Sequence, residues 1–75
     1  TIRYDLAQDG EVSMIVYNIL GEVVSTMVSG YQNAGSYNLT WNGENNHGKK
    51  VSSGVYFFKL QSGDFIQINK AVLIK

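Results

Sequence analysis

The sequence predicts an all-β chain folded as a small two-layer antiparallel β-sandwich of about six to seven strands. Three observations predict it. Apolar and polar residues alternate with period two in several short segments, the pattern of strands with one buried face. Clusters of Gly, Asn, Asp and Ser break that alternation at short intervals, as turns do. No window sustains helical periodicity: the loose three-and-four spacing over residues 15–28 is crowded with β-branched side chains and cut by Gly21. Two sheets packed face to face need two apolar inner faces, and five Tyr, three Phe and one Trp are large enough to fill a small core.

Residues 1–6 alternate, with Ile2, Tyr4 and Leu6 on one face and Arg3 and Asp5 on the other. Residues 7–11 read as a turn centred on Asp9-Gly10. Residues 12–17 form the next strand, with Val12, Met14 and Val16 facing the core and the less polar pair Ile15 and Tyr17 opposite. Residues 18–21 break the run; Gly21 supplies a positive φ, and Ile19 and Leu20 are expected to plug one end of the core. Residues 22–28 resume a strand, and residues 29–35 (SGYQNAG) read as a second long turn. Residues 36–41 alternate again, with Tyr37, Leu39 and Trp41 in phase.

Residues 42–54 concentrate the turn chemistry of the chain, beginning with the tight-turn pair Asn42-Gly43. So polar a segment bridges two elements that enter the core, with Trp41 and Tyr56 as its anchors. Residues 55–61 (VYFFKLQ) are apolar on both faces and read as a central strand with Tyr56, Phe58 and Leu60 inward. Residues 62–64 are a hairpin connection, and residues 65–74 the last strand. One phase of that strand holds Ile66, Ile68, Val72 and Ile74 with Lys70 among them; the other holds Phe65, Ala71 and Leu73. Either phase can face the core, and a bulge would exchange them midway.

At 75 residues the chain is one domain, residues 1–75. A domain of this size buries only about 60% of the surface its unfolded chain exposes. It has no Cys, so no disulfide stabilises it. Six Lys plus Arg balance six Asp plus Glu. That balance excludes the basic field of a nucleic-acid binder and the polybasic patch of an anionic-lipid binder. No apolar run approaches the roughly 20 residues of a membrane-spanning helix.

Catalytic chemistry is poorly stocked. The single His47 lies on a turn. The acids Asp5, Asp9, Glu11, Glu22, Glu44 and Asp64 are scattered one to a strand or turn, and no phosphate loop or nucleophile elbow is present. No enzyme activity, cofactor or strong metal site is expected. The oxygen-bearing Asn42, Glu44, Asn45 and Asn46 are the only calcium candidates, with one charge among them. Asn38-Leu39-Thr40 matches a glycosylation sequon, a short pattern that chance also produces. Tyr17, Tyr31 and Phe57 are candidate surface aromatics for sugar or protein contact.

Five segments together carry a resemblance: TIRYDL, the VxxxVYNILGEVV segment from Val12 to Val24, NAGSYNLTWNG, NNHGKKVSSGVYFFKL and the lysine-bearing tail NKAVLIK. The chain resembles the C-terminal sorting domain (type A) of proteins exported by the type IX secretion system of Bacteroidetes, which is itself similar to the immunoglobulin-like module of the flagellar hook-capping protein family. The resemblance implies an immunoglobulin-like sandwich. It also implies a non-catalytic signal that carries an upstream, covalently linked cargo across the outer membrane. The implied partners are outer-membrane and sortase components of the system. The implied route is through the periplasm to the outer-membrane surface or the exterior. It maps structural roles onto Gly21, Gly35, Trp41, Gly43, Gly48, Gly54, Tyr56 and Leu60, and recognition by the export machinery onto Lys70, Val72, Leu73, Ile74 and Lys75. Family members carry a Pro-Asn-Pro segment upstream of the position of Thr1. Its absence, and the alternation that starts at the first residue, lead us to expect a domain excised from the C-terminus of a larger precursor. Ala71 departs from the bulkier apolar residue common there. Two other functions fit the same sandwich: a structural immunoglobulin-like spacer of a surface or hook-cap protein, and a carbohydrate-binding or adhesive module. An edge strand left open in so small a sandwich also permits self-association.

Overall fold

The computed structural model describes residues 2–74. Six strands follow in order: β1 (Ile2–Leu6), β2 (Gly10–Asn18), β3 (Val23–Gln32), β4 (Gly35–Leu39), β5 (Gly54–Ser62) and β6 (Phe65–Leu73). β1 and β4 form a two-stranded sheet; the other four form a sheet in the order β3-β2-β5-β6. Every pairing is antiparallel. This is the expected two-layer sandwich, with two strands over four.

The core is built from three strands. Ile2, Tyr4 and Leu6 of β1 face Val12, Met14 and Val16 of β2 and Tyr56, Phe58 and Leu60 of β5. These are the alternating positions of the sequence pattern, and each large apolar side chain so buried contributes roughly 1.5–3 kcal/mol. Val16 is fully buried and Met14 nearly so. Tyr4 and Tyr37 are direct cross-strand partners, and their rings stack 5.2 Å apart. Tyr4 also donates a 2.6 Å hydrogen bond to Oε1 of Gln32, which ties the small sheet to the end of β3. Burial of the Tyr4 ring raises its pKa, and the neighbouring Tyr37 adds to the rise.

Two expectations fail. Ile19 and Leu20 do not plug the core; they stand 73% and 79% exposed. The reason is local: the Asn18 side-chain oxygen accepts from the backbone N–H groups of both Leu20 and Glu22, and this folds the turn with its apolar side chains outward. Residues 29–35 are not a long turn. β3 runs on to Gln32, pairing Ser29, Gly30, Tyr31 and Gln32 with Ser13, Val12, Glu11 and Gly10, so only Asn33 and Ala34 turn. Tertiary pairing overrides the turn composition there.

The segment between β4 and β5 acts as a joint. The Trp41 ring meets Tyr56 and Phe58 edge-on at 5.0 and 5.8 Å, and its indole N–H donates to the Glu44 carbonyl at 3.0 Å. Glu44 bridges Lys50, and Val51 N–H returns to the Gly43 carbonyl, so the loop folds on itself. Gly43 is buried at φ 77°, and an added Cβ would sit 3.4 Å from the Leu73 side chain. The backbone angle favours glycine there, and the Leu73 side chain of β6 lies at contact distance from the space a Cβ would take.

Candidate docking surface

β6 pairs with β5 without a register shift, from Ser62↔Phe65 to Gly54↔Leu73. The connection is a two-residue turn with Gly63 first at φ 58°, the arrangement of a type II′ hairpin. The phase left open by the sequence is thereby settled. Ala71 and Leu73 pack against the core. Ile66, Ile68, Lys70, Val72 and, beyond the strand, Ile74 are the other phase, and all are exposed. The more apolar phase of the last strand is thus the one turned to solvent.

That phase completes an outer face on the four-stranded sheet. Val23, Tyr17, Phe57 and Lys70 stand on one rung, and Thr26, Ile15, Lys59 and Ile68 on the next. Ile15, Tyr17, Phe57 and Lys59 are half-buried by their neighbours, whereas Ile66, Ile68 and Val72 are 52–61% exposed. The apolar exposure therefore rises toward the β6 edge. Scattered apolar residues on a surface need no explanation, but a contiguous row along a sheet edge is an interaction feature.

The two edges of this sheet differ in their backbone. On β3, Thr26 N–H donates to the Asn46 side-chain oxygen at 2.8 Å, and the Val24 carbonyl accepts from Asn46 N–H at 3.1 Å. Register shifts at Met14/Ile15 and Val16/Tyr17 twist the β2–β3 pair as well. Among the described residues, no turn, loop or side chain bonds the backbone of β6.

The structure distributes the sequence candidates as follows. Lys70, Val72 and Ile74 are exposed along one side of β6, while Leu73 points inward against Gly43. Lys75 lies outside the described residues. Gly21, Gly35, Gly43, Gly48 and Gly54 all have positive φ, and Tyr56 and Leu60 are buried with Trp41 packed against them. The candidate calcium oxygens are engaged elsewhere. Asn42 Oδ1 accepts from Glu44 N–H and Asn45 Oδ1 from His47 and Lys49 N–H, while Asn46 serves β3. Among the described residues no three His, Cys, Asp or Glu side chains converge as metal ligands. Of the three candidate aromatics, Tyr17 and Phe57 are cross-strand partners on the outer face, and Tyr31 is exposed beyond them opposite Glu11.

A cleft of about 610 Å³ opens at the end of the sandwich where Asp5, Asp9, Glu11 and Asp64 meet Leu6 and Phe65. Two of its carboxylates have local work: Asp5 accepts from the Ser36 hydroxyl at 2.7 Å and Asp9 from Ala34 N–H at 2.6 Å. Ser62 supplies a hydroxyl to the lining, and no His, Lys or Arg is among the lining residues. Sequence reasoning missed the contrast between the edges, since Asn46 reads as one more turn residue and nothing local points it at β3.

The family model of the FlgD Ig-like domain matches residues 1–64. The chain belongs to the FlgD Ig-like domain family. The match spans β1 through β5 and the hairpin turn, and stops where β6 begins. No curated protein and no solved structure matches the chain. As a FlgD Ig-like domain it has the sandwich the family name describes; β6 lies beyond the matched residues.

Proposed function

We propose that this FlgD Ig-like domain is a non-catalytic module that works by contact. It serves as a structural immunoglobulin-like element of a surface or hook-cap protein, with β6 as its docking strand. The observation that carries the reading is the exposed apolar row Ile66, Ile68 and Val72 on an edge strand whose open side no described residue bonds. The family supports the structural role.

A second reading rests on the same strand. The tail NKAVLIK resembles that of type IX sorting domains, and it falls beyond the matched residues. On this reading β6 is also the export address, read by outer-membrane and sortase components, and the upstream cargo passes through the periplasm to the outer-membrane surface or beyond. The deciding experiment fuses the 75-residue chain to a secreted reporter in a type IX-competent host. A sorting domain delivers the reporter to the surface, and Val72→Asp, or removal of Ile74 and Lys75, abolishes delivery while the reporter stays folded. A spacer leaves the reporter in the periplasm with or without those changes, and that result removes the sorting reading.

A further inference from the structure

We propose that β6 pairs antiparallel with β6 of a second copy about a two-fold axis at Gln67, joining two four-stranded sheets into one continuous sheet. This goes beyond either reading of function and depends on neither.

The backbone comes first. A two-residue turn is closed by a pair that exchanges both hydrogen bonds, here Ser62 and Phe65. The odd-numbered residues of β6 therefore bond to β5. Ile66, Ile68, Lys70 and Val72 direct their N–H and C=O groups away from it, to the open edge. Unpaired groups of this kind are a template for another strand. The strand that would fit best is extended, antiparallel and apolar on the outer face, and β6 itself has those properties.

Charge then selects the register. Lys70 is the only charged residue in β6, and Asp64 immediately precedes the strand; both are exposed. An axis at Lys70 would set this lysine against its own copy, which is destabilising. An axis at Gln67 sets Asp64 opposite the second copy's Lys70 twice, and Ile66 opposite the second copy's Ile68 twice. A single edge lysine thus rejects one register and stabilises another.

The assembly also closes. Its outer edges would be the two β3 strands, each bulged and bonded to Asn46 at Val24 and Thr26, so neither end of the joined sheet repeats the regular, unbonded edge of β6. A discrete dimer is expected rather than a filament.

Analytical ultracentrifugation of the 75-residue chain up to about 1 mM tests this. A reversible monomer–dimer equilibrium is expected. Asp64→Lys and Lys70→Asp each weaken it about tenfold or more, and the double charge swap restores it to within about threefold. Circular dichroism melts of each variant confirm the fold. Should Asp64→Lys disturb the turn, Lys70→Asp alone still reads the pairing. In parallel, protection of the Ile66, Ile68 and Lys70 amides rises with concentration while that of Thr26 does not. A chain that stays monomeric throughout, forms open-ended polymers, or dimerises without regard to the charge swap overturns the proposal. So does a β6 edge occupied only by an extended segment of another protein.

Discussion

β3 and β6 are the two edges of one sheet, made of similar residues, and they are finished in opposite ways. β3 is twisted by two register shifts and has backbone groups bonded to Asn46, a residue twenty positions along the chain. Tyr4 of the other sheet holds its far end through Gln32. β6 is regular, nine residues long and held from one side by β5, with Ala71 and Leu73 as its footholds on the core. A small sandwich cannot leave both edges open without becoming prone to aggregation. One edge is bonded by the loop that also joins the two sheets, and among the described residues the other is bonded by none. The polar segment between β4 and β5, which looks like a ligand site in the sequence, is better understood as the cover for β3.

The comparison can be broken most forcefully at the foothold of β6. Leu73→Ala removes its contact with the Trp41–Gly43 region, and about 2 kcal/mol is expected, the low end for a leucine truncation because the side chain is half-buried. Urea denaturation measures it. An unchanged midpoint would mean that β6 is not anchored there. Asn46→Ala tests the closed edge and is expected to cost about 1 kcal/mol, with faster amide exchange at Thr26 and none of this effect at β6.

The burial of Tyr4 has a pH signature. Because burial raises the Tyr4 pKa, the folded chain holds that proton more tightly than the unfolded chain does. The contribution is fully present below the ordinary tyrosine value of about 10 and is lost as pH rises through the higher folded-state value. Denaturation midpoints should therefore fall in strong alkali, and Tyr4→Phe should flatten the fall. A midpoint with the same alkaline slope in both proteins would contradict the assignment. The smallest effect is expected on the outward side of β6. Ile68→Thr changes stability by no more than about 0.5 kcal/mol, since the side chain is 61% exposed.

The inner architecture was legible in the sequence because β1, β2 and β5 obey the simplest rule available, alternation with one apolar face. Their nine buried side chains sit at the alternating positions. Legibility failed where a residue's role is set from a distance. Ser29 to Gln32 have turn composition but are extended by pairing with β2. Ile19 and Leu20 are apolar, yet Asn18 fixes their backbone so that they face water. β6 was ambiguous for a different reason: its two phases are both apolar, and the rule that the more apolar face is buried gives the wrong answer for a strand whose more apolar phase is the exposed one. The candidate site was legible as a strand and a set of residues, Lys70, Val72 and Ile74 among them. Its defining property, an open edge opposite a closed one, appears only when β3 and Asn46 meet.

Amide hydrogen exchange on a dilute sample compares the two edges directly, because it reads each backbone N–H separately. Ile66, Ile68 and Lys70 are expected to exchange far faster than Thr26, and also faster than their own neighbours Gln67 and Asn69, whose N–H groups bond β5. Equal protection at Thr26 and at Ile66, Ile68 and Lys70 in the monomer would contradict the account of one closed and one open edge.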